Sequence, residues 1–426
     1  MNARRFLLRV LLVGLWAFWQ ASSVHADPPP RVRTGVEVWM DAHFGSLRGK
    51  KIALITNETG VLPDLRHEAE VLARSPDIKL VALLGPEHGL RGAAQAGQAG
   101  GPATDPRTGL PVLDTYGKSG QALADLMAGA GADAFVYDIQ DVGSRFYTYI
   151  WTLYDCMEAA ARLGKPFVVL DRPNPILGTV VQGPVLRAEY ASFVGRQAIA
   201  ERHGLTVGEL ARLYNGEFLP QKGRAVALEV VPMVGWSRAI WYEDTGLPWV
   251  PPSPNMPTVD TALVYPGLGL VEGSNLSEGR GTTRPFEIVG APWLDGRLRD
   301  TLSGLRLPGV AFRELSFRPT FGKFKDQMIG GLQIHVTDRQ AFDPIRTALA
   351  LLVQARRLYP HEFAWIRSEG KSGPSYWIDK LTGSDRVRTM IDAGRSETEI
   401  VKAYQDELGR FVALRKKYLL YPERAR

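Results

Sequence analysis

Cysteine is nearly absent from this chain. Cys156 is the only one among 426 residues, so no intrachain disulfide can staple the fold. Its setting, the apolar helical stretch "WTLYDCMEAAARLG", marks it as a buried and inert thiol. Excess charge is also scarce. The formal net charge is +6, and Arg4, Arg5 and Arg9, unmatched by any acid within residues 1–26, supply three of those charges. A remainder of about +3 is too mild for a nucleic-acid partner. Long apolar runs are missing except at the start, where "MNARRFLLRVLLVGLWAFWQASSVHA" places arginines before a short apolar run and closes on small residues. That pattern is expected of a secretory signal at 1–26, because the run is too short to span a bilayer. The proline-rich residues 27–34 read as a linker after cleavage. The expectation is an exported protein of the periplasm or extracellular space, with no membrane partner once the signal is removed.

Several motifs are missing as well. No G-x-G-x-x-G follows a strand, which argues against a dinucleotide. "GKS" occurs at 117–119, but the position where a phosphate loop needs its first glycine is Val112. No G-x-S-x-G nucleophile elbow is present. The histidines after residue 26 are His43, His67, His88, His203, His335 and His361, and none has metal-ligand spacing. The expectation is no metal and no cofactor. Carboxylate chemistry remains, and glycoside hydrolysis is the broad reaction class most often run that way.

What is present is a rhythm. "KIALIT" (51–56), "IKLVALLG" (78–85), "DAFVYDI" (133–139) and "KPFVVLDR" (165–172) are short, apolar and rich in β-branched residues. Helical patterns separate them, the longest being "YTYIWTLYDCMEAAARLG", closed by Gly164. Strands apolar throughout, alternating with helices, predict a parallel sheet covered on both faces. The fold class is therefore α/β, a Rossmann-like doubly wound domain at 35–264. A helix at "TVGELARLYNG" and a strand at "ALEVVPM" extend it. The proline-dense "LPWVPPSPNMPTVD" reads as an ordered extended loop. Beyond it the alternation fails, and 265–426 is expected to be a smaller α+β domain. There "VAFRELSFRPTF" and "GGLQIHV" are strands, while "AFDPIRTALALLVQARRLYP" and "SETEIVKAYQDELGRFVALRKKYLL" are helices.

Ligands of open parallel sheets bind beyond the carboxyl ends of the strands. Here those ends carry Thr56-Asn57-Glu58, Pro86-Glu87-His88-Gly89, Asp138 with Gln140 and Asp141, and Asp171-Arg172-Pro173-Asn174. Four such ends form a candidate pocket, although Asp and Asn also cap helices, which is an equal reading for Asp141 and Asn174. Two further stretches are dense in polar groups. "DVGSRFYTY" carries Arg145, Tyr147 and Tyr149. "EGSNLSEGRGTTRPF" carries Glu272, Asn275, Glu278, Arg280, Thr282 and Arg284 among glycines.

The stretches "PEHGLRG", "YDIQDVGSRFYTY", "LDRPNP", "PSPNMP", "YPG", "EGSNLSEGRGTTRPFE" and "IDKLTGSDRVR" together resemble a bacterial family long known only as a domain of unknown function and associated with exo-β-N-acetylmuramidase activity. The resemblance runs from about Gly35 to the C-terminus. It implies an exo-acting glycosidase with its active site in a cleft between two domains, and it makes Glu87 the prime catalytic candidate. Some relatives carry a cysteine in the stretch matching "KDQMIGGLQ", which this chain lacks. On that reading Glu87 is the general acid, and His88 orients it or bonds the sugar. Asp138 is the second carboxylate, with Glu278 as rival. Arg145, Arg172 and Arg280 are candidates for the lactyl carboxylate. Asn57, Gln140, Asn174 and Asn275 are candidates for hydroxyls or the acetamido group, and Tyr147 and Tyr149 for the sugar face. The partner implied is a peptidoglycan-derived sugar. Alternatives from other classes are a non-catalytic muropeptide binder and a nucleotide-sugar transferase.

Overall fold

The computed structural model describes residues 31–95, 97–98, 103–370 and 373–423. The expected signal at 1–26 and residues 27–30 of the expected linker lie outside the described residues. Val32 and Arg33, at the linker's end, are tied down: Val32 N donates to Thr245 O, and Arg33 bridges Val234.

The strands in chain order are β1 (Lys51–Thr56), β2 (Lys79–Gly85), β3 (Ala103–Thr104), β4 (Pro111–Asp114), β5 (Ala134–Asp138), β6 (Phe167–Leu170), β7 (Gln182–Val185), β8 (Ala200–Arg202), β9 (Leu228–Val231), β10 (Ile288–Ala291), β11 (Val310–Phe317), β12 (Ile329–Val336), β13 (Arg367–Gly370) and β14 (Gly373–Tyr376). Seven of them form one sheet in the order β3-β4-β2-β1-β5-β6-β9. All neighbours in it are parallel except the edge pair β3–β4. Counted in chain order, the parallel strands run 3-2-1-4-5-6, the order of a Rossmann sheet. The chain winds outward from β1 through β2 to β4, then returns to the other flank at β5. The crevice of the fold therefore opens where β1 and β5 end.

The alternating pleat explains why these strands are apolar on both faces between their polar ends. Ala53 and Ile55 of β1, and Phe135 and Tyr137 of β5, face one hydrophobic layer. Ile52 and Leu54, with Val136 of β5, face the other. The long helix Tyr149–Leu163 covers the first face, and Gly164, at φ +63°, ends it in a left-handed cap.

The C-terminal part holds the antiparallel sheet β10-β12-β11 and a bundle of helices. Helix Pro344–Leu358 presents Ile345, Ala348, Leu349 and Leu352 to the core. It crosses helix Val259–Leu268 so closely that a Cβ on Gly267 would lie 1.8 Å from the Pro344 carbonyl oxygen. The apolar core runs without a break from the covered sheet face into this region, through Phe146, Tyr265, Phe286 and Ile345. The single helix expected over 396–420 is two, Glu397–Ala403 and Gln405–Arg415, parted at Tyr404 (φ −109°, ψ 4°). Tyr404 itself is buried, so one apolar pattern serves both helices. Among the described residues no helix is long and apolar enough to cross a membrane.

Candidate active site

The end of β2 is tied to the end of β4. Gly85 O accepts both the backbone N–H and the hydroxyl of Thr115, each at 2.9 Å. The chain then reverses through Pro86-Glu87-His88-Gly89, closed by Gly89 N donating to Pro86 O at 3.0 Å. His88 takes the left-handed region at φ +69°, an uncommon conformation for a residue with a side chain. Its Nδ1 lies 2.7 Å from Ala94 O, which can only accept, so Nδ1 carries a proton. Glu87 is 8% exposed. Its Oε1 accepts the Gly97 N–H at 2.8 Å, and its Oε2 meets the Thr148 hydroxyl at 2.6 Å. A hydroxyl both donates and accepts, so Thr148 serves Glu87 with or without a proton on Oε2.

Thr148 comes from the end of β5. In that segment Asp141 accepts from Gly143 N at 2.7 Å and Arg145 N donates to Glu201 O. The turn delivers Phe146, Tyr147, Thr148 and Tyr149 to the mouth of the sheet. The Tyr149 hydroxyl donates to Pro252 O at 2.5 Å, and burial pushes the Tyr147 and Tyr149 hydroxyls well above the ordinary tyrosine range.

Glu87, His88 and Tyr147–Tyr149 line a cavity of about 220 Å³. Ser253 and Asn255 of the proline-dense loop line it too, as do Glu272, Arg280, Phe286 and Trp377 of the C-terminal part. Arg280 Nη2 donates to Glu272 Oε1 at 3.0 Å, its Nε lies 3.4 Å from Glu278 Oε1, and its guanidinium sits 5.0 Å over the Phe286 ring. Burial pulls Arg280 toward deprotonation, but the charges of Glu272 and Glu278 outweigh it and the net shift is upward. Burial also raises the Glu272 carboxyl, against the pull of Arg280. Lys323 stitches the loop from behind, donating to Ser274 O and Leu276 O at 2.8 Å and to Glu278 Oε2 at 3.1 Å.

Of the residues singled out from the sequence, Glu87, His88, Tyr147, Tyr149, Glu272 and Arg280 meet in this cavity. The others are placed elsewhere. Asp138 is fully buried in a two-pronged ion pair with Arg172, whose Nη2 reaches Asp138 Oδ2 at 2.9 Å and whose Nε contacts Oδ1. The neighbouring Glu68 completes that cluster. Burial and then the Asp138 charge push its carboxyl well up. A carboxylate so engaged is closed to water and to sugar. Arg145 is fully buried and donates to Pro184 O, Ile199 O and Leu381 O at 2.6–2.9 Å, so its guanidinium ties three segments together. The amides are held mainly by partners within the fold, except that the buried Asn57 Nδ2 has no hydrogen-bond partner among the described residues. Gln140 donates to Asp141 O and Pro173 O, and Asn174 to Leu205 O. Asn57 accepts from Thr59, and Asn275 joins Glu362 O and Ala364 N. Glu278 backs Arg280 rather than lining the cavity.

Sequence reasoning missed Tyr116 and Phe193, which also line the cavity. Tyr116 follows the short β4, and Asp114 Oδ1 accepts its N–H at 2.9 Å. Burial, then the charge of Glu87 and a hydrogen bond to it, push the Tyr116 hydroxyl up. The signal was there in "PVLDTYG", a fifth strand end bearing a polar aromatic. Glu58, at the end of β1, was noted but given no role. Burial raises its carboxyl to about 8, its Oε2 is sealed without a hydrogen-bond partner, and it packs on Gly92, where a Cβ would lie 2.1 Å from Glu58 Oε1.

The chain is similar to known proteins over nearly its whole length. A family model described as exo-beta-N-acetylmuramidase NamZ, N-terminal, matches residues 52–260, and its C-terminal counterpart matches residues 263–421. The peptidoglycan beta-N-acetylmuramidase NamZ of Bacillus subtilis (strain 168) is 45% identical over 419 residues, covering 96% of this chain and 98% of that protein. Two crystal structures of DUF1343 family proteins from Bacteroides fragilis NCTC 9343 have the same fold. One has a TM-score of 0.82 at 37% identity, covering 92% of this chain and 99% of its own. The other has a TM-score of 0.74 at 31% identity, covering 93% and 100%.

Proposed function

The chain belongs to the exo-beta-N-acetylmuramidase NamZ family, and from that membership we propose that it releases N-acetylmuramic acid from the non-reducing ends of peptidoglycan fragments. The observation that carries the reading is Glu87, a carboxyl held on both oxygens at the wall of a sugar-sized cavity. Breaking a glycosidic bond needs a proton on the leaving oxygen and support for positive charge at the ring. Glu87 supplies the proton, with the Thr148 hydroxyl turning from acceptor to donor as the proton leaves Oε2. Arg280 is the guanidinium open to the cavity, and a planar guanidinium matches the lactyl carboxylate of muramic acid. Arg145 and Arg172 are spent on internal partners. Glu272 is the second carboxyl of the cavity, and with Asp138 closed off it is the group that faces the substrate beside Glu87.

The site of action is outside the cytoplasm. The arginine-led apolar start of the sequence and a lone cysteine that is buried support this. Cell fractionation with an antibody to the chain tests it, and a wholly cytoplasmic pool would overturn it. The activity is tested by incubating the chain without residues 1–26 with β-1,4 disaccharides of both sugar orders and identifying the products. Release of N-acetylmuramic acid only from the disaccharide that carries it at the non-reducing end is the expected result. Saturable binding with no sugar released would make the protein a muropeptide binder instead.

A further inference from the structure

The cavity is lined by two unlike sets of side chains. Arg280 and Glu272 are charged groups suited to the acidic sugar. Tyr116 and Phe193 are aromatic and come from separate loops, one after β4 and one between β7 and β8. Their rings pack edge to face, with centroids 5.3 Å apart and planes at 86°. Both residues are half-buried rather than enclosed, unlike Tyr147, Tyr149 and Phe286 in the same cavity. An edge-to-face pair turns one ring's face away from its partner. Half-exposed rings lining the cavity offer apolar surface to a ligand there. Pyranose sugars offer the matching surface, because their axial C–H groups make one face of the ring apolar.

We propose that Tyr116 and Phe193 form the platform for the sugar on the leaving side of the bond, so that they select a sugar over a small leaving group. The inference rests on the muramidase reading and adds the place of the second sugar. Tyr116 and Glu87 line the same cavity as Arg280, so a sugar seated on the aromatic pair brings its glycosidic oxygen to the proton donor while the acidic sugar turns toward Arg280. No charged side chain belongs to the Tyr116–Phe193 pair, which suits a neutral sugar such as N-acetylglucosamine and not a second acidic one.

The test compares two substrates: the disaccharide with N-acetylmuramic acid at its non-reducing end, and the β-glycosyl fluoride of N-acetylmuramic acid, whose leaving group has no face to stack. The readout is the ratio of their kcat/KM values. Phe193→Leu keeps apolar volume and removes the ring face, and Phe193→Ala removes both. In each the ratio is expected to fall about ten-fold, the effect of exposing some tens of Å² of apolar surface, while Phe193→Tyr restores it. A ratio unchanged in both variants, or equal loss on both substrates, overturns the platform. If the wild type releases no sugar from either substrate, the muramidase reading itself fails, and the two failures are told apart.

Discussion

Replacing Glu58 by glutamine should make the protein more stable, and increasingly so as the pH rises. In the fold the Glu58 carboxyl titrates at about 8, against an ordinary 4.5, because burial disfavours its charged form. A raised carboxyl favours folding fully below pH 4.5, where both states are protonated, and that advantage is lost as the pH climbs through 8. At pH 7 the unfolded chain ionises Glu58 freely, whereas the folded chain must either keep it protonated or bury a charge. At about 1.4 kcal/mol per pH unit, the gap between 4.5 and 7 amounts to about 3 kcal/mol, trimmed to about 2–3 kcal/mol because the side chain is partly exposed. Glutamine is neutral throughout and nearly isosteric, so the variant escapes the penalty. Urea denaturation of the wild type and Glu58→Gln at pH 4, 5.5, 7 and 8 measures it. Taking the difference between the two proteins removes other raised carboxyls, such as Asp171 and Glu201, from the comparison. The variant's advantage should be near zero at pH 4 and grow by about 1 kcal/mol per unit above pH 5. Parallel curves across the whole range would refute the claim that burial at Gly92 holds this carboxyl uncharged.

Three further outcomes follow. Glu87→Gln keeps an oxygen for Gly97 N and an amide for Thr148, so its unfolding curve should match the wild type while release of N-acetylmuramic acid falls by about 100-fold or more. Near-normal release would remove Glu87 from the chemistry. Arg145→Met leaves three buried carbonyls without their donor and Glu201 without its nearest cation, and denaturation should show a loss of about 3–5 kcal/mol. If stability is unchanged and KM alone rises, Arg145 belongs to substrate binding after all. Gly267→Ala forces helix Val259–Leu268 off the Pro344 carbonyl, with an expected cost of about 2 kcal/mol in the same assay. Wild-type stability would mean the two helices are free to slide apart.

The sheet was legible because a strand covered on both faces must be apolar at every position, and β1, β2, β5 and β6 each stand between polar or glycine-bearing turns. The strand β4 was not, since four residues carry no pattern and its place depends on pairing with β2. Losing β4 also lost Tyr116. Phe193 lay in a stretch with no period, and only the packing of the loop between β7 and β8 brings it to Tyr116. The break at Tyr404 was hidden because the helices on either side bury the same apolar stripe.

Residue order sufficed for the alternation of buried strands and helices and for the edge at which polar groups collect, because both depend on local periodicity and on turns. It also sufficed to put Glu87 at that edge. Which acids there stay open to a ligand was settled only by folding. Asp138 and Glu87 both end strands of the same sheet, yet one points into a guanidinium and the other into a cavity. Whether a carboxylate finds a buried cation from a strand end 34 residues away, or a hydroxyl beside empty space, depends on side-chain direction and on partners remote in sequence, and no local pattern records either.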